Sequence, residues 1–224
     1  MPLALLLLLA AADKWSFDVG TAPLVKVSNV AGSIRVEAIQ ARGVGVTAEP
    51  SGGSEEEQAR WNVEVRGSQS QVTVRVCCGR CGSDGKSCHD RVGFDLTLKV
   101  PEDARLELEG VSTNVSVAGV LGAQRITTVS GDVDVEGSAG RVTLSTVSGK
   151  ISLRQSVAAA GRIHSVSGDI SLALPAPARV SFSTMSGRLN GERGAHSFGK
   201  SGPEIAVDTV SGNVTVVDSA RPSR

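Results

Sequence analysis

The chain has 224 residues, of which 40% are hydrophobic and 21% are charged, a size and composition that predict one globular domain. Its 23 basic and 23 acidic residues give a net charge of zero, and no run of Lys or Arg occurs, which argues against nucleic-acid binding. Aromatic residues make up only 3%, with no Tyr, so any stacking surface for bases or sugars would have to come from a few Trp and Phe side chains.

Residues 1–12 form a short apolar run that ends in three alanines. Small residues at that place are typical of a signal peptide, and we predict cleavage before Asp13 and export of the mature chain. The basic residues that usually begin such a peptide are missing, and the alternative is a buried N-terminal helix. The run is too short to span a membrane, no later stretch is long enough to do so, and no cysteine follows it for lipid attachment.

The mature chain is predicted to form one β-strand-repeat domain over 13–218, followed by a tail at 219–224. Trp15 and Phe17 alternate with polar residues at its start, and we expect them to cap the first coil. Residues 37–105 are less regular. They contain a polar loop at 49–58, a hairpin formed by 61–66 and 71–76, and a strand at 94–100 that ends at Pro101.

A cysteine cluster lies in this irregular part. In an exported protein such a cluster predicts a disulfide-stapled loop, whose pairing the sequence leaves open. Adjacent strand residues point to opposite faces, so we expect two intramolecular disulfides, with no free thiol and no bound metal. One alternative is a zinc knuckle with three of the cysteines and either the fourth or a histidine, and another is a Cys78–Cys81 redox pair. The residues concerned are Cys77, Cys78, Cys81, Cys88 and His89.

From residue 106 to 217 one phrase recurs, of the form Thr-Val-Ser-Gly-Asp-Val-x-Val. The residue before its Ser-Gly step recurs at intervals of 18, 19, 19 and 25 residues. Two degenerate copies, at 25–36 and 106–117, extend the series. A fixed period of this kind predicts a repeat architecture. The residues that define the period are Val129, Val147, Val166, Met185 and Val210.

Each copy shows the two-residue alternation of a strand on both sides of the Ser-Gly step, with a change of phase there. Glycine tolerates positive φ, so we predict a corner at that step. The sequence thus predicts an all-β, single-domain parallel β-solenoid with coils of 18–19 residues. Its buried columns are expected to be Ile126, Leu144, Ile163, Phe182 and Val207, and Val133, Ile151, Ile170, Leu189 and Val214.

The position after the glycine is an outward column in which acid and base alternate in chain order. Opposite charges on neighbouring strands stabilise a sheet, so this pattern favours a charge ladder. The alternative is a calcium-binding turn, which would need acids or carbonyl groups recurring in adjacent coils. The column reads Asp132, Lys150, Asp169, Arg188 and Asn213.

The repeated phrase resembles that of bacterial β-strand-repeat proteins of the "toastrack", adhesin-like type, the DUF4097/DUF2807-type families, over residues 15–218. The resemblance implies an exported or surface-facing β-solenoid without an assigned activity, with some relatives linked to envelope stress responses. It implies no catalytic residues, and the cysteine cluster departs from the usual pattern.

No motif for phosphate binding, serine hydrolysis or zinc proteolysis occurs. His164 is expected to stand alone on the surface, without a carboxylate on a neighbouring coil. We therefore predict a non-enzymatic exported module with a structural, adhesive or envelope-sensing role, an unidentified envelope or surface partner, and no cofactor. The alternatives are an enzyme acting on surface polysaccharide with its site in 37–105, and a metal or redox protein built on the loop from Cys77 to Cys88.

Overall fold

The computed structural model describes residues 12–81, 91–191 and 201–219, and it is almost entirely β-sheet. One continuous sheet is folded along a corner into two halves, and their inward side chains form a single core. The N-terminal elements are β1 (Asp13–Asp18), β2 (Leu24–Ile39), β3 (Gly43–Ser51), α1 (Glu55–Gln58), β4 (Trp61–Gly67), β5 (Gln71–Cys78), β6 (Gly93–Pro101) and β7 (Arg105–Ala118).

The remaining strands come in pairs, one pair for each copy of the repeated phrase. The first strand of a pair lies in one half of the sheet and the second lies in the other half. The pairs are β8 (Gln124–Ser130) with β9 (Val133–Ser138), β10 (Val142–Ser148) with β11 (Ile151–Gln155), β12 (Gly161–Ser167) with β13 (Ile170–Leu174), β14 (Arg179–Ser186) with β15 (Leu189–Gly191), and β16 (Glu204–Ser211) with β17 (Val214–Asp218).

The parallel solenoid is confirmed. Ile126, Leu144 and Ile163 are direct neighbours in parallel register, as are Val133, Ile151 and Ile170, and all six are buried. The two degenerate copies also belong to the stack. Strands β2 and β7 each run through both halves and pair in parallel, so that Val25 faces Leu106 and Ile34 faces Val115.

The predicted order of the last two coils is wrong. The coil β16–β17 pairs with β12–β13, and the coil β14–β15 lies beyond it at the end of the stack. Phe182 is therefore only half-buried and Leu189 is 49% exposed, although both were expected in the core.

Hydrophobicity and connector length account for this order. The coil β16–β17 has four buried apolar side chains facing inward, from Ile205, Val207, Val214 and Val216, so it benefits from a neighbour on each side. The coil β14–β15 presents fewer apolar side chains. The step between these two copies is 25 residues long, against 18 or 19 elsewhere. The longer connector lets the coil β16–β17 pass the coil β14–β15 and pack on β12–β13.

The irregular part, 37–105, extends the stack with antiparallel strands. β3 pairs with β6, β1 pairs with β3, and β4 pairs with β5 as the predicted hairpin. The polar segment 49–58 is not entirely loop, because Glu55–Gln58 form one helical turn capped by Ser54, whose hydroxyl accepts from the N–H of Glu57.

Aromatic side chains close the end of the stack that is formed by β1 and β4. Trp15 and Phe17 on β1 are partly buried and pack on the core, as expected of a cap. Phe17 lies directly over Gly67, where an added Cβ would come within 2.1 Å of its ring. Since β1 and β4 are the outermost strands of the two halves at this end, this contact joins the halves.

Candidate functional site

The cysteine cluster begins at the end of β5, opposite Trp61 and Asn62 of β4. Cys77 forms a disulfide with Cys81, with their Cα atoms 5.3 Å apart. Cys78 packs on the core and is also disulfide-bonded. Cys88 and His89 lie outside the described residues, as does His196.

This pairing bears on the alternatives for the loop. Cys81 is bonded to Cys77, so the Cys78–Cys81 redox pair is not formed in the structure. A zinc knuckle would need Cys78 and Cys81 as thiolates, whereas both are in disulfides. In the part of the chain that the structure describes, no three His, Cys, Asp or Glu side chains are grouped to hold a metal ion.

An open depression of about 600 Å³ lies beside Cys81, on the outer side of the β4–β5 hairpin. Its lining includes Glu64, Arg66 and Arg75, and Glu64 forms an ion pair with Arg66. A glycosidase needs two carboxyl groups flanking the bond to be cleaved. Glu64 is the single carboxylate among the lining residues that the structure describes, so the depression lacks that pair.

Two carboxylates elsewhere have perturbed protonation, and structural contacts explain both. The N–H of Ala22 donates to Asp103 at 3.1 Å and lowers the pKa of that carboxyl, burial opposes the shift, and Arg42 at 3.1 Å reinforces it. The Ser181 hydroxyl and Arg179, the latter at 2.8 Å, lower the pKa of Glu204. A lowered pKa stabilises the fold above the ordinary carboxyl range, and this contribution is lost as the pH falls through the folded-state pKa.

His164 lies on the outer face of β12, but the expectation that no carboxylate lies on a neighbouring coil is wrong. Its neighbour on one side is Ser145 and on the other is Asp208, because β16 rather than β14 packs against β12. Both His164 and Asp208 are exposed, and no ion pair joins them within the described part of the chain.

The outward column that follows the corners is held by side chain-to-backbone hydrogen bonds. Asp132 accepts from the N–H of Lys150 at 2.8 Å, and Asp169 accepts from the N–H of Asn213 at 2.9 Å. Acid and base alternate over Asp132, Lys150 and Asp169. Arg188 does not continue the alternation, because its coil lies at the end of the stack and Asn213 takes its expected place beside Asp169.

The corner surface has a second column, which the sequence analysis did not identify as a surface feature. The residue before each Ser-Gly step is apolar and exposed, and the strand register on either side of it aligns these positions from coil to coil. The sequence does contain a signal for this column. The apolar residues that define the period are displaced by one position from the alternation of inward-facing apolar residues. We call this column the valine ridge; it consists of Val30, Val111, Val129, Val147, Val166, Val210 and Met185.

A comparison with protein families gives a match that agrees with the fold and the repeated corners. The model of the family described as Toastrack DUF4097 matches residues 21–217. The chain belongs to the toastrack family. The resemblance of the repeated phrase to this family is therefore confirmed over nearly the whole described domain.

Solved structures to which the chain is similar include proposed adhesion proteins. A proposed cell adhesion protein from Clostridium sporogenes is 11% identical, with 93% of the toastrack chain and 100% of that chain covered and a TM-score of 0.45. A proposed adhesin from Bacteroides fragilis is 10% identical, with coverage of 93% and 97% and a TM-score of 0.48. No curated protein matches the sequence. None of the helices that the structure describes has the length and hydrophobicity to cross a membrane.

Proposed function

We propose that this toastrack protein is a non-enzymatic, exported module with a structural or adhesive role at the cell envelope. The observation that carries the proposal is the regularity of its outer surface. Stacked coils present repeated columns of hydroxyl, charged and apolar side chains, an extended array suited to contact with another surface. Among the described residues, the two carboxylates with perturbed pKa values, Asp103 and Glu204, are each engaged in a structural ion pair, with Arg42 and Arg179 respectively.

Export is supported by two independent features. The apolar run at 1–12 has the form of a signal peptide. The disulfide between Cys77 and Cys81 is of a kind that persists in oxidising compartments and is rare in the cytosol.

Export is tested by alkylating the protein from its native compartment without reductant and measuring the intact mass. We expect no alkyl adducts, an intact mass that corresponds to a chain beginning at Asp13, and no zinc released on thiol modification. Four adducts on a chain that retains residues 1–12 would contradict export and favour the zinc alternative.

The role is tested with the mature protein and isolated cell envelopes. We expect saturable co-sedimentation with envelopes and no release of reducing sugar from surface polysaccharide. Hydrolysis that Glu64→Gln abolishes, and that the control Glu107→Gln on another part of the surface leaves intact, would instead establish an enzyme with its site beside the hairpin. Absence of both envelope binding and hydrolysis would contradict an adhesive role.

A further inference from the structure

The valine ridge is an exposed apolar feature that the corner itself does not require. In four corners the glycine has a backbone reason for its identity, since Gly131, Gly149, Gly168 and Gly212 have φ between 134° and 145°. The residue two places before it has no such constraint, yet it is Val or Met in every coil, with exposed fractions from 37% to 86%. Contiguous exposed apolar patches usually mark interaction sites, whereas single exposed apolar residues do not.

The ridge is straight and regular. Each corner is in register with the next, so Val129 lies between Val111 and Val147, and Val166 lies between Val147 and Val210. With strands about 4.8 Å apart, seven positions span about 29 Å. Other exposed apolar side chains, such as Val157 in the β11–β12 connector, lie outside this row.

The outward column that follows the corner glycines, three residues after the ridge in each coil, carries a charge pattern that is complementary to its own reverse. In the order of the stack it reads Asn114, Asp132, Lys150, Asp169, Asn213 and Arg188. When a second copy is turned end for end, Lys150 of each copy faces Asp169 of the other. The same operation places Asp132 opposite Asn213, and Asn114 opposite Arg188, so no like charges meet.

We propose that two copies of this chain associate through their valine ridges, antiparallel, about a twofold axis that lies between the corners of Val147 and Val166. The ridge is self-complementary about the same axis. Val147 then meets Val166 of the other copy, Val129 meets Val210, and Val111 meets Met185. One operation therefore satisfies both the apolar and the charged columns, as an isologous interface requires.

The size of the contact surface sets the expected strength of the association between the two copies. The contact involves the six ridge positions from Val111 to Met185, since Val30 lies beyond the end of the other copy. A strip about 24 Å long that includes these positions and one column on each side is smaller than the roughly 800 Å² per partner of a standard stable interface. We therefore expect a reversible dimer with a dissociation constant in the micromolar range. The inference does not depend on the proposed role at the envelope.

The test is sedimentation velocity of the mature protein over a concentration series from about 1 to 200 µM, a range that brackets a micromolar constant. We expect a monomer–dimer equilibrium. Val147→Asp should raise the dissociation constant at least about tenfold, because it buries a charge at the twofold axis. Val157→Asp is the matched control, an exposed valine off the ridge, and should leave association unchanged. Thermal melts of both variants establish that each is folded.

A charge exchange tests the orientation. Lys150→Asp alone places acids opposite Asp169 of the partner copy, and Asp169→Lys alone places lysines opposite Lys150, so each should weaken the dimer about tenfold. The double variant restores opposite charges and should recover most of the lost affinity. Failure of this rescue would overturn the antiparallel arrangement.

Two outcomes would overturn the proposal as a whole. One is a wild-type protein that stays monomeric throughout the concentration series. The other is a monomer that co-sediments with neutral phosphatidylcholine vesicles and loses that binding in Val147→Asp, which would assign the ridge to a lipid surface instead.

Discussion

A corner glycine such as Gly149 answers two constraints, and only one can be read from the sequence. Gly149 has φ of +145°, a conformation that the Ser-Gly step predicts. In addition, a Cβ on Gly149 would lie 2.2 Å from the carbonyl oxygen of Gly131 on the preceding coil. That close approach depends on how coils stack, so it could not be predicted from one copy of the repeat.

Gly149→Ala is therefore expected to destabilise the fold by about 3 kcal/mol or more, since both backbone strain and a clash between coils oppose it. Gly137→Ala is the matched control. Gly137 also has positive φ, at 73°, but its added Cβ would meet only ordinary contacts, at 3.4 Å or more, and we expect a loss of about 1 kcal/mol. Urea denaturation of both variants measures the difference, and equal losses would mean that the clash with Gly131 is relieved by small shifts.

A column of buried hydroxyl groups lies just inside the corners. The side chains of Thr128, Thr146 and Ser165 are buried neighbours in register, and their hydroxyl oxygens have no hydrogen-bond partner among the described residues. A buried polar group without a partner costs free energy, whereas an apolar group of the same shape does not.

Thr146→Val should consequently leave stability unchanged or raise the free energy of unfolding by about 1 kcal/mol. Thr127→Val, on the exposed face of the neighbouring strand, serves as the control and should have little effect. A loss above about 1 kcal/mol for Thr146→Val alone, measured by urea denaturation, would show that the hydroxyl is hydrogen-bonded, for example by an ordered water.

At the scale of elements, the strands, corners and inward columns of the regular coils were predictable because period-2 alternation and the Ser-Gly step report local geometry. Strand pairing over long separations was predictable only where copies of the phrase could be aligned. The degenerate copies at 25–36 and 106–117 indicated that β2 and β7 belong to one series, and these strands pair although Val25 and Leu106 are 81 residues apart. The antiparallel pairing of β3 with β6 has no signal in the repeat, since both strands lie in the part without the phrase.

The charge ladder is the element-scale feature most open to test. Lys150→Glu places three acids on neighbouring coils, at 132, 150 and 169, and should cost about 0.5–1 kcal/mol, partly relieved by salt. Arg188→Glu is the matched control, because its neighbour in the stack is Asn213 and not an acid, so it should cost less. Denaturation midpoints at low and high salt decide this, and an equal cost for the two variants would contradict the observed neighbours.

For the whole molecule, the sequence predicted the architecture but not the order of its last coils or the exposed valine ridge. Chain order is the simplest assumption for a solenoid, and the Ser-Gly step is present in the copies at 185 and 210 alike, so it does not say which of them is terminal. Only the longer connector and the poorer apolar content of β14–β15 hint at it. The exposed ridge was missed for a related reason, because an apolar residue in a repeat is read first as core.

The order of the coils gives a decisive test by cross-linking. On the outer face of one half, Ser171 of β13 faces Thr215 of β17, which in turn faces Asn190 of β15. Neighbouring strands lie about 4.8 Å apart and alternate strands about twice that, whereas a disulfide requires Cα atoms within about 7 Å.

The double variant Ser171→Cys/Thr215→Cys should therefore form an additional disulfide under mild oxidation, detected by intact mass after alkylation. Ser171→Cys/Asn190→Cys should keep two alkylatable thiols under the same conditions. Chain-order stacking requires the opposite result, because β15 would then lie directly beside β13, with β17 one strand further away.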